Sequence, residues 1–171
     1  MVAHRSRARG NERHSFGART TLAVAGERQP WPAEERGLAD PRIAAAIAFS
    51  PAAPGAAAGW PARFGGIRLP LLSITGTRDG DVLGTGTTRE NRREPFRNMP
   101  PPDKYLLVLD GADHMAFNGG AGHAATRTAN VVRAVTLAFW DATLRQDPTA
   151  RAWLAGGASA VLAAGDHFER K

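Results

Sequence analysis

The sequence predicts an α/β protein, in which a parallel β-sheet is covered by helices. Three apolar runs carry this prediction: "IAAAIAFS" at 43–50, "LPLLSITG" at 69–76 and "YLLVLDG" at 105–111. Each run lacks the alternation of a half-exposed strand, and this is typical of strands that are buried on both faces of a parallel sheet. We therefore expect about three parallel strands, joined by crossover segments and followed by C-terminal helices.

The helices around this sheet are predicted from apolar spacing and from signals at their ends. Residues 18–25 have helical spacing and stop at Gly26, a residue suited to a helix C-terminus. Asp147 and Pro148 are an N-cap followed by proline at the first helical position, so a helix should begin there and end at Gly156 and Gly157. Between these lies a longer helix over 125–146, whose apolar face should pack on the sheet; the face consists of Val131, Val135, Ala138, Phe139 and Ala142.

Polar or turn-rich segments are predicted to connect these elements. They are the stretch 27–42, the Pro/Gly/Ala-rich loop 51–66 and the segment 77–104, in which "TTRENRREPFRNM" is expected to form a short exposed helix. Residues 1–13 are a basic leader that we expect to be disordered or misread, and 166–171 are expected to be a frayed tail. The predicted domain is therefore 14–165.

Composition and charge exclude several classes of function. The chain has 171 residues, 43% of them apolar, and a net charge of +6, as expected for one globular domain. Its first 20 residues hold five arginines and one glutamate, but no interleaved aromatic residues, so a specific nucleic-acid partner is not predicted. The absence of cysteine excludes disulfides, and no apolar run approaches the ~20 residues needed to cross a bilayer. The histidines and carboxylates lack compact metal-ligand spacing, so no metal is predicted.

One short stretch carries most of a catalytic signature. "HSFG" at 14–17 matches the last four positions of G-x-S-x-G, the turn that presents a nucleophilic serine, while Arg13 stands in place of the first glycine. A serine hydroxyl needs an imidazole to take its proton and an acid to orient that imidazole. The strand at 69–76 is followed by Asp79 and Asp81, and the strand at 105–111 by His114. The carboxyl ends of parallel strands share one edge, so these groups should meet near Ser15.

Each of these residues also has an ordinary interpretation, because Ser-x-Gly occurs by chance and Asp-Gly is a common turn pair. Together, however, residues 14–156 resemble the C-terminal half of an α/β-hydrolase, nearest to the dienelactone-hydrolase, acetylhydrolase and polyester-hydrolase-like branch. The matching stretches are "HSFGARTTLAVAG", "DPRIAAAIAFSP", "LPLLSITGTRDGD", "KYLLVLDGADHMAF" and "TLAFWDATLRQDPTARAWL".

The resemblance implies a carboxylic ester hydrolase that uses no cofactor and acts on a small-molecule ester. It makes Ser15 the nucleophile, His114 the general base and Asp79 the orienting acid, with Asp81 as the alternative acid. The backbone N–H of Phe16 becomes one donor of the oxyanion hole. His14, at the variable position of the motif, is expected to be a packing or rim residue.

The chain departs from the family pattern before Ser15. The sequence "MVAHRSRARGNERH" does not resemble a strand, so the N-terminal strands, and with them the second oxyanion donor, are expected to be missing. A sheet that begins at Ile43 would then expose an apolar edge and favour association. Arg13 is expected to strain the serine turn. We therefore expect a truncated hydrolase of weak or no activity. The alternatives are a non-catalytic remnant or interaction module and, on weaker grounds, a basic tether for nucleic acid or a membrane surface.

Overall fold

The sheet of this protein has five strands in the part of the chain that the structure describes. The computed structural model describes residues 8–28, 37–53, 55–82, 84–118 and 126–171. The strands lie in the order of the sequence; the first four are parallel, and the fifth is antiparallel to the fourth. They are β1 (Arg9–His14), β2 (Ile43–Phe49), β3 (Leu71–Arg78), β4 (Lys104–Asp113) and β5 (His167–Arg170). The protein therefore belongs to the α/β class.

Helices cover both faces of this sheet. They are α1 (Phe16–Val24), α2 (Trp60–Phe64), α3 (Glu94–Asn98), α4 (Thr126–Leu144) and α5 (Pro148–Gly156). Three 3-10 turns accompany them, at Ala57–Gly59, His114–Phe117 and Gly157–Val161. The clusters of buried side chains place α1, α2 and α3 on one face, and α4 and α5 on the other.

The three central strands bury side chains on both faces, because alternate residues point to opposite layers. On the face of α4, Ile47, Ile74 and Leu107 pack in the cluster that contains Phe139. On the other face, Ala46 and Leu71 pack in the cluster of Leu22 and Phe64. Burying one large aliphatic side chain contributes about 1.5–3 kcal/mol, so β2, β3 and β4 form the most strongly stabilised part of the sheet.

These findings confirm the predictions that rested on apolar pattern and capping. The three apolar runs are β2, β3 and β4, and four of the five predicted face residues of α4 are fully buried, with Ala138 packed against the same cluster. The Asp147 side chain accepts hydrogen bonds from the backbone N–H groups of Thr149 and Ala150, at 2.8 and 3.5 Å. Pro148 is the first residue of α5, as predicted.

The structure differs from the sequence prediction before Ser15, where it has a strand. β1 pairs with β2 from Arg9 to His14, so the sheet does not begin at Ile43 and the apolar edge expected there is covered. The side chains of β1 are mostly exposed. Backbone hydrogen bonds therefore hold this strand, aided by the Trp140 indole N–H, which donates to Glu12 Oε2 at 3.2 Å.

The structure also differs at the C-terminus, where β5 replaces the expected frayed tail. Two backbone hydrogen bonds join Lys104 and Lys171, with N···O distances of 3.0 and 2.9 Å. The Phe168 ring stacks on that of Tyr105, with ring centroids 6.1 Å apart. The described domain therefore extends beyond the predicted bounds of 14–165 on both sides.

One connection is more ordered than predicted, and a second contains the predicted short helix but is more buried than expected. The segment 51–66 contains α2, whose Phe64 is fully buried. The segment 87–99, expected to be exposed, contains α3 and buries Arg92, Pro95 and Phe96. Residues 1–7 of the predicted leader and 29–36 of the predicted connection lie outside the described residues. Among the helices described, none has the length and apolar character needed to cross a bilayer.

Candidate active site

The candidate nucleophile occupies a sharp turn between β1 and α1. Ser15 has φ 56° and ψ −119°, a region that is sparsely populated by residues other than glycine and that costs about 1–3 kcal/mol. Its N–H donates to Phe49 O at 3.0 Å, and its carbonyl accepts from the Ala18 N–H at 2.9 Å. Backbone bonds on both sides therefore keep Ser15 in this strained conformation at the carboxyl end of the sheet.

The turn accommodates Arg13 because its counterpart across the turn is glycine. A Cβ added to Gly17 would lie 2.9 Å from the Cβ of Arg13, closer than such atoms approach in real structures. Arg13 itself has no positive φ, and its guanidinium donates to Glu12 O at 2.9 Å. Positions 13 and 17 are therefore crowded, as expected, and Gly17 leaves the space that the Arg13 side chain uses.

The candidate base lies in the 3-10 turn after β4. The end of β4 that leads into this turn lies close to β3: a Cβ at Gly76 would lie 2.0 Å from Ala112 O, so only glycine fits there. The Asp113 carboxylate accepts from the N–H groups of Met115 and Ala116, each at 3.0 Å, and so fixes the start of the turn. These local contacts determine where His114 points.

His14 supports the same turn from β1. Its Nε2–H donates to the backbone carbonyl of His114 at 2.9 Å, and the two ring centroids are 4.7 Å apart. Burial lowers the pKa of His14 below its usual 6.5, although the hydrogen bond to the His114 carbonyl opposes this. The neutral ring is therefore favoured. His14 packs against the candidate base, which agrees with the packing role that the sequence left open beside a rim position.

Ser15, His114 and Asp79 form one continuous chain of hydrogen bonds. His114 Nε2 lies 2.8 Å from Ser15 Oγ, and Nδ1 lies 2.8 Å from Asp79 Oδ1. The other carboxylate oxygen, Oδ2, accepts from Thr75 Oγ1 at 2.7 Å, and Asp79 is fully buried. Because Nδ1–H donates to the carboxylate, Nε2 carries the lone pair that accepts from the serine hydroxyl.

Asp81, the alternative acid, lies two residues after Asp79, beyond the end of β3. It is exposed, and its carboxylate accepts from the Thr85 hydroxyl at 3.2 Å and from the Gly86 N–H. The carboxylate that the structure places in contact with His114 is that of Asp79.

A cleft of about 320 Å³ opens over Ser15 and His114. Phe16 lines it from the start of α1 and is 76% exposed, an unusual position for so large an apolar side chain. As the first residue of α1, Phe16 has a backbone N–H without an intrahelical acceptor. The Arg19 guanidinium lies over the Phe16 ring, 6.0 Å from its centroid. The cleft is completed by residues that follow β2 and β3: Ser50, Ala52, Ala53, Gly55, Asp81, Val82, Thr85, Gly86, Thr87, Asn91 and Arg92.

Sequence reasoning missed Arg92 and Thr75 as parts of the site. Arg92 Nε lies 3.1 Å from Asp79 Oδ1, and the guanidinium is nearly buried. Burial lowers the pKa of Arg92, against the attraction of Asp79 and then Asp81. In the sequence Arg92 is one of several charged residues in "TRENRREPFR", and nothing in that pattern separates it from its neighbours.

Comparisons of the chain with models of protein families and with curated proteins find no match in either. Within the described ranges, no group of three histidine or carboxylate side chains is arranged as a metal site would require. The interpretation of the site therefore depends on its own geometry and on the chemistry of its residues.

Proposed function

We propose that this protein is a serine hydrolase that acts on carboxylic esters, and that its sheet is the C-terminal portion of an α/β-hydrolase fold. The observation that supports the proposal is the chain of hydrogen bonds from Ser15 Oγ through the His114 imidazole to the buried Asp79 carboxylate, at 2.8 Å for each step. In this arrangement a weak nucleophile has its base in contact, and the base has an orienting acid. The cleft gives an ester access to the same hydroxyl.

In the proposed acylation, Ser15 Oγ attacks the ester carbonyl carbon while His114 Nε2 takes the hydroxyl proton. The carbonyl oxygen becomes an oxyanion and accepts a hydrogen bond from the Phe16 N–H. Asp79 stabilises the imidazolium through Nδ1–H without taking its proton. The intermediate then collapses: the bond from carbon to the alcohol oxygen breaks, and the proton on Nε2 goes to the departing alcohol.

In the proposed deacylation, a water molecule repeats these steps on the acyl-serine. His114 takes a proton from the water as its oxygen attacks the acyl carbon, and returns a proton to Ser15 Oγ as the acyl bond breaks. The products are a carboxylic acid and an alcohol. All proton transfers pass through one imidazole, so the proposed reaction requires no cofactor.

The proposal also predicts how the site reacts with two kinds of substrate, a reactive phosphonate and an ordinary ester. It assigns one backbone donor to the oxyanion, whereas the sites of the family it resembles use two. Removing one such donor typically lowers kcat about 10²–10³-fold. We therefore expect a reactive phosphonate to modify Ser15 readily, and an ordinary ester to be turned over slowly.

A fluorophosphonate probe tests the proposal. We expect covalent labelling of the wild-type protein and its loss in Ser15→Ala, with the mass increase mapped to the peptide that contains Ser15. The matched control is Ser159→Ala, which removes an exposed serine whose hydroxyl donates only to Gly156 O, and which should label as the wild type does. Absence of labelling in a protein shown to be folded by circular dichroism would contradict the proposal and favour the non-catalytic alternative.

A further inference from the structure

Arg92 connects the ends of three neighbouring strands. It lies between β3 and α3 along the chain and is about 6% exposed. One guanidinium nitrogen, Nη1, donates to Ser50 O after β2 at 2.9 Å, and the other, Nη2, donates to Gly80 O after β3 at 3.1 Å. Nε lies 3.3 Å from Asp79 O, and Nη2 lies 3.3 Å from His114 Nδ1. A single side chain therefore contacts every strand end between the serine and the histidine.

We propose that Arg92 is a positioning residue of this site: its guanidinium fixes the Asp79 carboxylate against His114. This inference depends on the proposed serine hydrolase. It adds a function for a residue that touches neither Ser15 Oγ nor the reacting carbonyl. Its consequence is a His114 imidazole that is held in the orientation in which Nε2 faces Ser15 Oγ.

The proposal follows from how the Asp79 carboxylate is shared. Oδ1 lies 2.8 Å from His114 Nδ1 and 3.1 Å from Arg92 Nε, while Oδ2 accepts from Thr75. Both oxygens are thus fixed, and the carboxylate cannot rotate away from the imidazole without breaking a charged contact. A planar guanidinium has donors that point toward Asp79, Ser50 and Gly80 at once. The compact ammonium of lysine cannot reach all three acceptors in this way.

The contact between Arg92 and the imidazole supports the same role. Nδ1 of a neutral ring that donates to Asp79 carries a hydrogen, so it has no lone pair for Arg92 Nη2. The 3.3 Å approach of Nη2 is therefore a contact between two donors, maintained by the bonds of Arg92 to Ser50 O and Gly80 O. Arg92 thus lies against the same ring nitrogen that Asp79 orients.

The experiment measures the rate of fluorophosphonate labelling in three variants. For Arg92→Met, we expect the rate to fall about tenfold or more, because the Asp79 carboxylate loses a charged contact that fixes it against His114. For Arg92→Lys, we expect a rate below that of the wild type, because the charge remains and the planar fork is lost. Arg89→Met, which removes an exposed arginine paired with Glu90, is the control and should match the wild type.

A second readout separates this inference from the proposed function. The NMR signal of the His114 Nδ1 proton, which is shared with Asp79, is assigned by its loss in His114→Gln. In Arg92→Met this signal should shift or broaden relative to the wild type, and in Arg89→Met it should not. Wild-type protein that is not labelled would contradict the hydrolase proposal, but the NMR comparison would still test Arg92.

The inference is overturned if the labelling rate and the Nδ1 proton signal of Arg92→Met coincide with those of the wild type. If Arg92→Met does not fold, Arg92→Lys decides: a labelling rate equal to that of the wild type would contradict the positioning role, and a lowered rate would support it.

Discussion

The strand that leads to Ser15 and the strands that lead to Asp79 and His114 are stabilised in different ways. β2, β3 and β4 are apolar on both faces and lie between two layers of helices. β1 has mostly exposed side chains, including Arg9, Glu12 and Arg13, and pairs with one neighbour, β2, in the described part of the chain. The packed strands depend on side-chain burial, whereas β1 depends on its backbone pairing.

This difference places the weakest part of the candidate site under Ser15, the proposed nucleophile. Asp79 and His114 follow strands whose packing leaves them little freedom. Ser15 follows the exposed strand and also has the strained backbone of the turn. Mutations in the packed strands should therefore act mainly through electrostatics and proton transfer, and mutations near β1 through the stability and position of the serine turn.

The largest expected effect is that of Asp79→Asn, which changes charge in the packed region and leaves shape nearly unchanged. An asparagine does not stabilise the imidazolium and favours the wrong tautomer of the imidazole, so the rate of fluorophosphonate labelling should fall about 10³–10⁴-fold. The matched variant is Asp81→Asn, whose carboxylate contacts Thr85 and Gly86 and not His114. A loss in Asp81→Asn as large as that in Asp79→Asn would contradict the assignment of the acid.

A smaller effect is expected at Lys104, which begins β4 and is fully buried. Its Nζ donates to Pro102 O at 2.8 Å, and burial lowers the pKa of its ammonium from 10.5 to about 8. Between these two values the unfolded chain binds more protons than the folded one, so the free energy of unfolding should rise with pH. The rise should reach about 3 kcal/mol by pH 10.5, since one pKa unit corresponds to about 1.4 kcal/mol.

Urea unfolding of the wild type and of Lys104→Met, at pH 7 and pH 10.5, tests this prediction. The variant has no group that titrates at this position, so its stability relative to the wild type should be higher at pH 7 than at pH 10.5. Lys171→Met is the comparison, because Lys171 is exposed and burial lowers its pKa less. Equal pH dependence in all three proteins would show that burial does not perturb Lys104.

The smallest of these effects is expected in the serine turn. In Gly17→Ala the new Cβ would meet the Cβ of Arg13, a contact that should cost about 1–3 kcal/mol. The higher helix propensity of alanine returns about 1 kcal/mol of this, so the net effect should be a small loss of stability. In the Arg13→Gly background the same change should cost little or become stabilising. A double-mutant cycle measured by urea unfolding isolates this coupling. Additive effects of the two mutations would contradict the contact across the turn.

The sequence predicts the packed region well and the exposed region poorly, for one physical reason. A strand between two helical layers must be apolar on both faces, so β2, β3 and β4 are visible as continuous runs. Asp79 directly follows β3 and His114 directly follows β4, so predicting the strands also predicts where these two residues lie. An edge strand needs only a backbone that pairs, and charged side chains on it limit aggregation, so β1 has no apolar signature.

The same reasoning explains why β5 and Arg92 were missed. β5 is four residues long and pairs with β4 through backbone bonds that its sequence, "HFER", does not specify. Arg92 acts through the carbonyls of Ser50 and Gly80, which are distant in sequence and become neighbours only in the folded sheet. Backbone acceptors leave no pattern of residue types, so no motif for Arg92 exists to be found.

The consecutive strand order has a practical consequence for any measurement on this protein. Ser15 enters from the first strand and His114 from the fourth, and the ends of two other strands lie between them. A molecule in which β1 has separated from β2 would keep its hydrophobic interior and its circular dichroism spectrum, yet the Ser15 hydroxyl and the His114 imidazole would be apart. A covalent probe would therefore label only those molecules in which β1 is paired with β2. It would detect a local opening that bulk unfolding experiments overlook.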